Sequence, residues 1–183
     1  MTGSVEIVNL ARDLGYVHAK QLALVIESIP SRLLVGLDRV VLRLASDMSE
    51  RERKRMGRAG SERLPLSQAR GSYGRAQPSG GAYIQLFIDN IYSPWPRFVA
   101  KVPVLRFEIL NQIFFHELSH HVQTLGNPKR RQSEAETDRL AWKLHREYFI
   151  RAHPLLVPWV WLLMRVLRLW IKVRDLIRRA FAD

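Results

Sequence analysis

The chain contains no cysteine, which excludes disulfide bonds and thiolate metal sites. Any zinc would therefore have to be bound by histidine and carboxylate side chains. Acidic residues are also scarce: 17 Asp and Glu accompany 29 Lys and Arg, for a formal net charge of +12 at pH 7. This charge favours anionic partners, which could be nucleic acid, anionic lipid or acidic protein.

Long apolar runs are missing as well. In the C-terminal segment the longest uncharged run, residues 154–164, is too short to span a bilayer. The N-terminal segment carries Glu6, Arg12 and Asp13 and lacks the continuous apolar stretch of a signal peptide. We therefore expect a cytoplasmic protein, with a peripheral location on the inner face of a membrane as the further possibility.

The 183 residues, 47% of them hydrophobic, suffice for one domain with a buried core. We assign residues 1–153 to this domain and residues 154–183 to a C-terminal tail. Residues 48–81 are polar, basic and rich in Gly and Ser, which predicts a flexible loop, with an anion-binding lid as the alternative. Apolar periodicity predicts an α+β fold with helices at 5–14, 17–28, 104–125, 133–150 and 159–181, and strands at 39–45 and 82–91.

The first chemical signal is the sequence His116-Glu117-Leu118-Ser119-His120 in the predicted helix 104–125. Histidines four residues apart lie on one helix face and can bind the same zinc ion. Glu117 lies about 100° further round the helix, where it can act as general base on a water beside the metal. The alternative is a helix that merely carries two exposed histidines, but the apolar surroundings of this motif argue against it.

The second signal is Glu134-Ala-Glu-Thr-Asp138, in the first turns of the next predicted helix. A catalytic zinc site needs a third protein ligand, and Glu134 can supply it. Asp138, one turn later, can accept the N–H of a ligand imidazole. Glu136 is the rival ligand, but it occupies the capping-box position after Ser133. An ordinary acidic first turn, favoured by the helix dipole, is the alternative for the whole segment.

Together these motifs resemble the gluzincin pattern, HExxH followed by ExxxD. HELSHH followed by EAETDRLA is most similar to the ImmA/IrrE-like peptidases and to the HtpX and CAAX prenyl proteases, over roughly residues 82–145. The resemblance implies a minimal zincin-like domain, in which a small sheet packs on the HExxH helix and the ligand helix that follows. It implies Zn²⁺ bound by His116, His120 and Glu134, with Glu117 as base and Asp138 in support.

The chain also departs from these families. The HtpX and prenyl-protease types have several membrane spans, and Ala is usual where Thr137 stands. No residue is an obvious counterpart of the His or Tyr that stabilises the oxyanion in larger gluzincins, although Tyr83, Tyr92, His145 and Tyr148 are candidates. His121 is expected to be a packed or capping histidine and not a ligand.

The predicted function is that of a zinc metallopeptidase, a hydrolase of the metalloendopeptidase kind, which cleaves protein or peptide substrates through a zinc-bound water activated by Glu117. The strand at 82–91 is expected to bind the substrate backbone by β-addition. One alternative is a non-catalytic binding or regulatory module that keeps zinc for structure. Another is a nucleic-acid-associated protease of the SprT kind, but those enzymes usually have a histidine as third ligand.

The C-terminal segment 159–181 predicts an amphipathic helix. Its apolar face comprises Trp159, Leu162, Val166, Leu169, Trp170, Val173 and Ile177, and its basic residues include Arg165, Arg168, Lys172 and Arg179. This composition fits an interfacial helix on an anionic membrane surface. The alternative is a helix whose apolar side packs on the domain or on a partner helix.

Overall fold

The computed structural model of the protein describes residues 4–59, 62–76, 80–96, 98–127, 133–152, 154 and 157–180. Its elements in chain order are β1 (Glu6–Asn9), α1 (Arg12–Ser28), β2 (Leu37–Arg43), α2 (Glu50–Arg53), β3 (Met56–Ala59), β4 (Glu62–Pro65), β5 (Gly71–Gly74), β6 (Ala82–Phe87), α3 (Ile88–Tyr92), α4 (Pro103–Gly126), α5 (Glu134–Ala152) and α6 (Val157–Ala180). The fold is α+β, as the sequence predicts.

The central sheet has four strands in the order β1-β2-β6-β5, and β3 and β4 form a separate antiparallel hairpin. Strands β1, β2 and β6 are parallel, whereas β5 runs antiparallel to β6. The sheet is therefore mixed, and its edge strand β5 has the opposite direction to the other three.

The core lies between one face of this sheet and helices α1 and α4. Val40 and Leu42 of β2, with Ile84 and Leu86 of β6, are fully buried and belong to the same cluster as Leu110, Phe114 and Leu118 of α4. Helix α4 begins with Pro103 at its first position, which favours a helix start, and its apolar residues hold it against the sheet. The core thus fixes the helix that carries the HExxH motif.

Three sequence-based predictions about local structure are wrong. Residues 6–9 form β1 and not helix, because parallel pairing with β2 provides partners for their backbone groups, and α1 continues through Gly15. The segment 48–81 contains α2, the β3–β4 hairpin and β5 and is not a loop without regular structure. The strand expected over 82–91 ends at Phe87 and is followed by α3.

Helix α6 differs from the other long helices in its exposure. Among the side chains described for this helix, Met164 is the buried apolar residue, with 4% of its surface exposed. The apolar face predicted from the sequence is exposed at Trp159, Leu162, Val166, Leu169, Trp170 and Val173. That face therefore does not pack on the domain. Within the described part of the chain, no helix combines the length and apolar character needed to cross a bilayer.

Candidate metal centre

Helix α4 presents His116 and His120 on one side, one turn apart. Their ring centroids are 5.0 Å apart and the ring planes are nearly perpendicular, at 83°. Both imidazoles are partly exposed, with 29% and 16% of the side-chain surface accessible. The pair is thus fixed by a buried helix and yet open to solvent on one side.

Helix α5 runs antiparallel beside α4 and brings Glu134 to the two histidines. Oε2 of Glu134 lies 3.6 Å from Nε2 of His116 and 3.8 Å from Nε2 of His120. The ligand atoms of the three residues all lie within 4.8 Å of one another. A tetrahedral zinc ion with bonds of ~2.0–2.1 Å would require its ligand atoms to be about 3.4 Å apart. The two distances from Glu134 to the imidazoles exceed this spacing by only about 0.2 and 0.4 Å.

The second nitrogen of each imidazole faces an oxygen atom of α5. Nδ1 of His116 lies 3.0 Å from Oδ1 of Asp138, and Nδ1 of His120 lies 3.5 Å from the hydroxyl of Thr137. A carboxylate can only accept, so in a neutral His116 the proton lies on Nδ1 and the lone pair of Nε2 faces Glu134. This is the arrangement that a metal-binding histidine needs. The donor set of two imidazoles and one carboxylate thus fits a zinc ion.

Glu117 is buried next to this group, with 7% of its surface exposed. Burial first, and the nearby Glu134 carboxylate second, raise the pKa of Glu117 to about 8. Its carboxylate lies against Gly71 of the edge strand, where a Cβ atom would be only 2.7 Å from Oε1 of Glu117. The absence of a side chain at residue 71 therefore leaves the room that the Glu117 carboxylate occupies.

His121 attaches the edge strand to α4. It is 1% exposed, with Nε2 3.1 Å from the carbonyl of Val35 and Nδ1 3.3 Å from the hydroxyl of Tyr73 in β5. Because a carbonyl only accepts, Nε2 carries the proton and Nδ1 accepts from Tyr73. Burial lowers the pKa of His121, in keeping with a neutral ring. His121 thus lies outside the metal group, as expected, and positions β5.

The strand predicted to bind substrate is not at an edge. β6 lies between β2 and β5 and is paired on both sides. Its backbone groups are already used, so the prediction that the strand at 82–91 adds a substrate strand is wrong. Among the described strands none pairs with the outer side of β5, and β5 is the strand that passes Glu117.

The candidate oxyanion-stabilising residues make contacts elsewhere. Tyr92 donates its hydroxyl to the carbonyl of Arg106 at 2.9 Å, and His145 lies 3.2 Å from buried Glu108. Tyr148 packs on Phe115, and Tyr83 lies beneath the guanidinium of Arg39. None of these four contacts is with the two histidines or Glu134.

Two residues of the site carried no clear signal in the sequence. Gly71 falls within the segment predicted to be a loop, and only the pairing of β5 with β6 brings it to Glu117. Thr137 stands one residue before Asp138, and its hydroxyl also contacts Gln123 at 3.3 Å and the carbonyl of Ser133 at 3.1 Å. Its spacing of three residues from Glu134, on the same helix face, was the available clue.

Comparison with known proteins identified no relative of this chain. No protein-family model matches the chain, and no curated protein or solved structure is significantly similar to it. The function is therefore inferred from the geometry of the site.

Proposed function

We propose that this protein is a zinc-dependent peptidase with a zincin-like, gluzincin-type catalytic domain. The observation that carries the proposal is the convergence of His116, His120 and Glu134 next to a buried Glu117 and to strand β5, whose outer side pairs with none of the described strands. A site that held zinc only for structure would be closed by a fourth protein ligand and would need no adjacent base.

The proposed chemistry is hydrolysis of a peptide bond. When bound, zinc would act as a Lewis acid on the scissile carbonyl and lower the pKa of a nearby water. Glu117 accepts the proton of the attacking water and then donates it to the nitrogen of the leaving amine. Burial and the nearby Glu134 carboxylate raise the pKa of Glu117, which favours a carboxyl group that can both accept and donate a proton.

The edge strand β5 supplies a place for the substrate backbone. The backbone carbonyl of Arg70 accepts a hydrogen bond from the backbone N–H of Phe87 in β6. In an antiparallel pair, the backbone groups of successive residues point alternately towards the partner strand and away from it. The backbone groups of Gly71 and Tyr73 therefore face away from β6. An extended peptide that pairs with these groups would pass beside Glu117. Because Gly71 has no side chain, the Glu117 carboxylate can lie against the strand that would hold the peptide.

The test is a comparison of Glu117→Gln with His120→Ala, each as the purified full chain. Glu117→Gln should keep one zinc per chain but lose cleavage of labelled casein by about 10²–10⁴-fold. His120→Ala should lose both zinc and activity. Wild-type protein that binds zinc but cleaves nothing, with Glu117→Gln indistinguishable from it, would instead identify a non-catalytic zinc-stabilised module.

A further inference from the structure

Helix α6 has two unlike faces. Met164 is buried and Arg168 donates to Oε1 of Gln112 at 3.0 Å, so this side of the helix contacts α4. At 100° per residue, Met164 and Arg168 each lie about 160° from Val166. The side of α6 that carries Val166 therefore points away from the domain.

The outward face is apolar over most of the helix. Six apolar side chains on this face are between 41% and 71% exposed, and they follow the three- and four-residue spacing of a helix face. They are Trp159, Leu162, Leu163, Val166, Leu169 and Val173. A continuous exposed stripe of this kind is uncommon on a monomeric protein and indicates a binding surface. Arg165 flanks the stripe and is exposed as well.

The charge of α6 identifies the partner. Residues 157–180 contain six Lys and Arg residues and a single acid, Asp175. Pairing with a second copy of this helix would bring like charges together along its length. An anionic lipid surface satisfies both features, since its headgroups attract the basic residues and its interfacial region accepts Trp and Leu side chains.

We propose that α6 attaches this protein peripherally to an anionic lipid surface, with the stripe from Trp159 to Val173 facing the lipid. If the proposed peptidase function holds, the attachment also defines the substrate class. Gln112, which binds Arg168 of α6, precedes His116 by one helical turn, or about 6 Å. The catalytic group then lies beside the membrane-bound helix and acts on polypeptide segments held at the membrane surface.

The first experiment measures lipid binding alone. The full chain is co-sedimented with phosphatidylcholine vesicles, with and without phosphatidylserine. Wild type should bind the vesicles that contain phosphatidylserine, and Leu169→Glu should weaken this binding by about tenfold or more. Leu24→Glu on α1 is the matched control, because Leu24 and Leu169 are 64% and 63% exposed. It should bind like wild type.

Two results would overturn the attachment. One is equal sedimentation of wild type and Leu169→Glu, including no sedimentation of either. The other is a wild-type dimer, measured by light scattering without vesicles, that Leu169→Glu converts to a monomer, since the stripe would then bind a second copy.

The second experiment tests the substrate class. Labelled casein is coupled to the headgroups of the same vesicles or is left in solution, and cleavage is followed for both. Leu169→Glu should lower the rate on coupled casein and leave the rate on free casein and the zinc content unchanged. Equal rates of wild type and Leu169→Glu on coupled casein would contradict the assignment. Vesicle binding without zinc or any cleavage would refute the peptidase function and leave the attachment intact.

Discussion

The contact between Gly71 and Glu117 makes Gly71→Ala the most informative substitution in this protein. The new Cβ would lie 2.7 Å from Oε1 and 2.8 Å from Cγ of Glu117, and 3.0 Å from a methyl group of Ile113. Ordinary contacts of this kind are 3.4–4 Å, so the Glu117 side chain must move by about 0.7 Å or more. The fold should persist, because the group that has to move is largely the end of a side chain.

We expect Gly71→Ala to lower kcat/KM by about 10²-fold, since a displacement near 1 Å of a catalytic group has an effect of this size. Zinc content should stay at the wild-type value, because the three atoms nearest to the new Cβ belong to Glu117 and Ile113 and not to His116, His120 or Glu134. The assay is casein hydrolysis, with metal content and thermal unfolding measured on the same samples.

Gly80→Ala is the matched control for this substitution. A Cβ at Gly80 meets nothing within 4 Å, so this variant should keep full activity. Full activity of Gly71→Ala would refute the placement of Glu117 as the base. Loss of zinc from Gly71→Ala would show that the strand supports the ligands and not the base.

Three further predictions concern the support of the site and the fold. Asp138→Asn should weaken zinc binding by about 10–100-fold, measured by chelator competition, because the acceptor 3.0 Å from Nδ1 of His116 is changed; unchanged affinity would refute this role. Hydrogen bonds to its carboxylate, of which the one from Arg43 has the largest effect, lower the pKa of Glu52 to about 2. Glu52 therefore stabilises the fold above about pH 4.5 and less as the pH falls towards 2. Glu52→Gln should show less than ~1 kcal/mol of destabilisation at pH 7 and almost none at pH 2 in urea titrations, and a loss that grows in acid would contradict this. Phe149 is 1% exposed, so Phe149→Ala should lower the free energy of unfolding by about 3–5 kcal/mol. A decrease below ~1 kcal/mol would mean that α5 is not packed as described.

The helical half of the fold could be predicted from the sequence because its signals are local. The apolar periodicity of α4, its HExxH motif and the acidic start of α5 give helix positions that agree with the structure to within a few residues. The meeting of Glu134 with the two histidines could be anticipated as well, because a short connection between two helices favours antiparallel neighbours. Chain geometry and ligand chemistry pointed to the same three residues.

The edge of the sheet could not be predicted in this way. β5 is four residues long, contains Gly71 and Gly74, and lies within a basic, glycine-rich segment without alternating apolar residues. It is a strand because β6 provides its hydrogen-bond partners, which is a tertiary effect that no local pattern records. For the same reason the position of β6, which is interior and not at the edge, followed only from the strand order.

A catalytic zinc centre requires that His116, His120 and Glu134 bind one zinc ion and leave one coordination position open. X-ray absorption at the zinc edge, on purified protein with its metal content quantified, tests this most directly. We expect one zinc per chain, with two imidazole nitrogens and carboxylate oxygen at ~2.0–2.1 Å, and loss of the signal in His120→Ala. Zinc absent from the wild type, or equally retained by His120→Ala, would contradict the account.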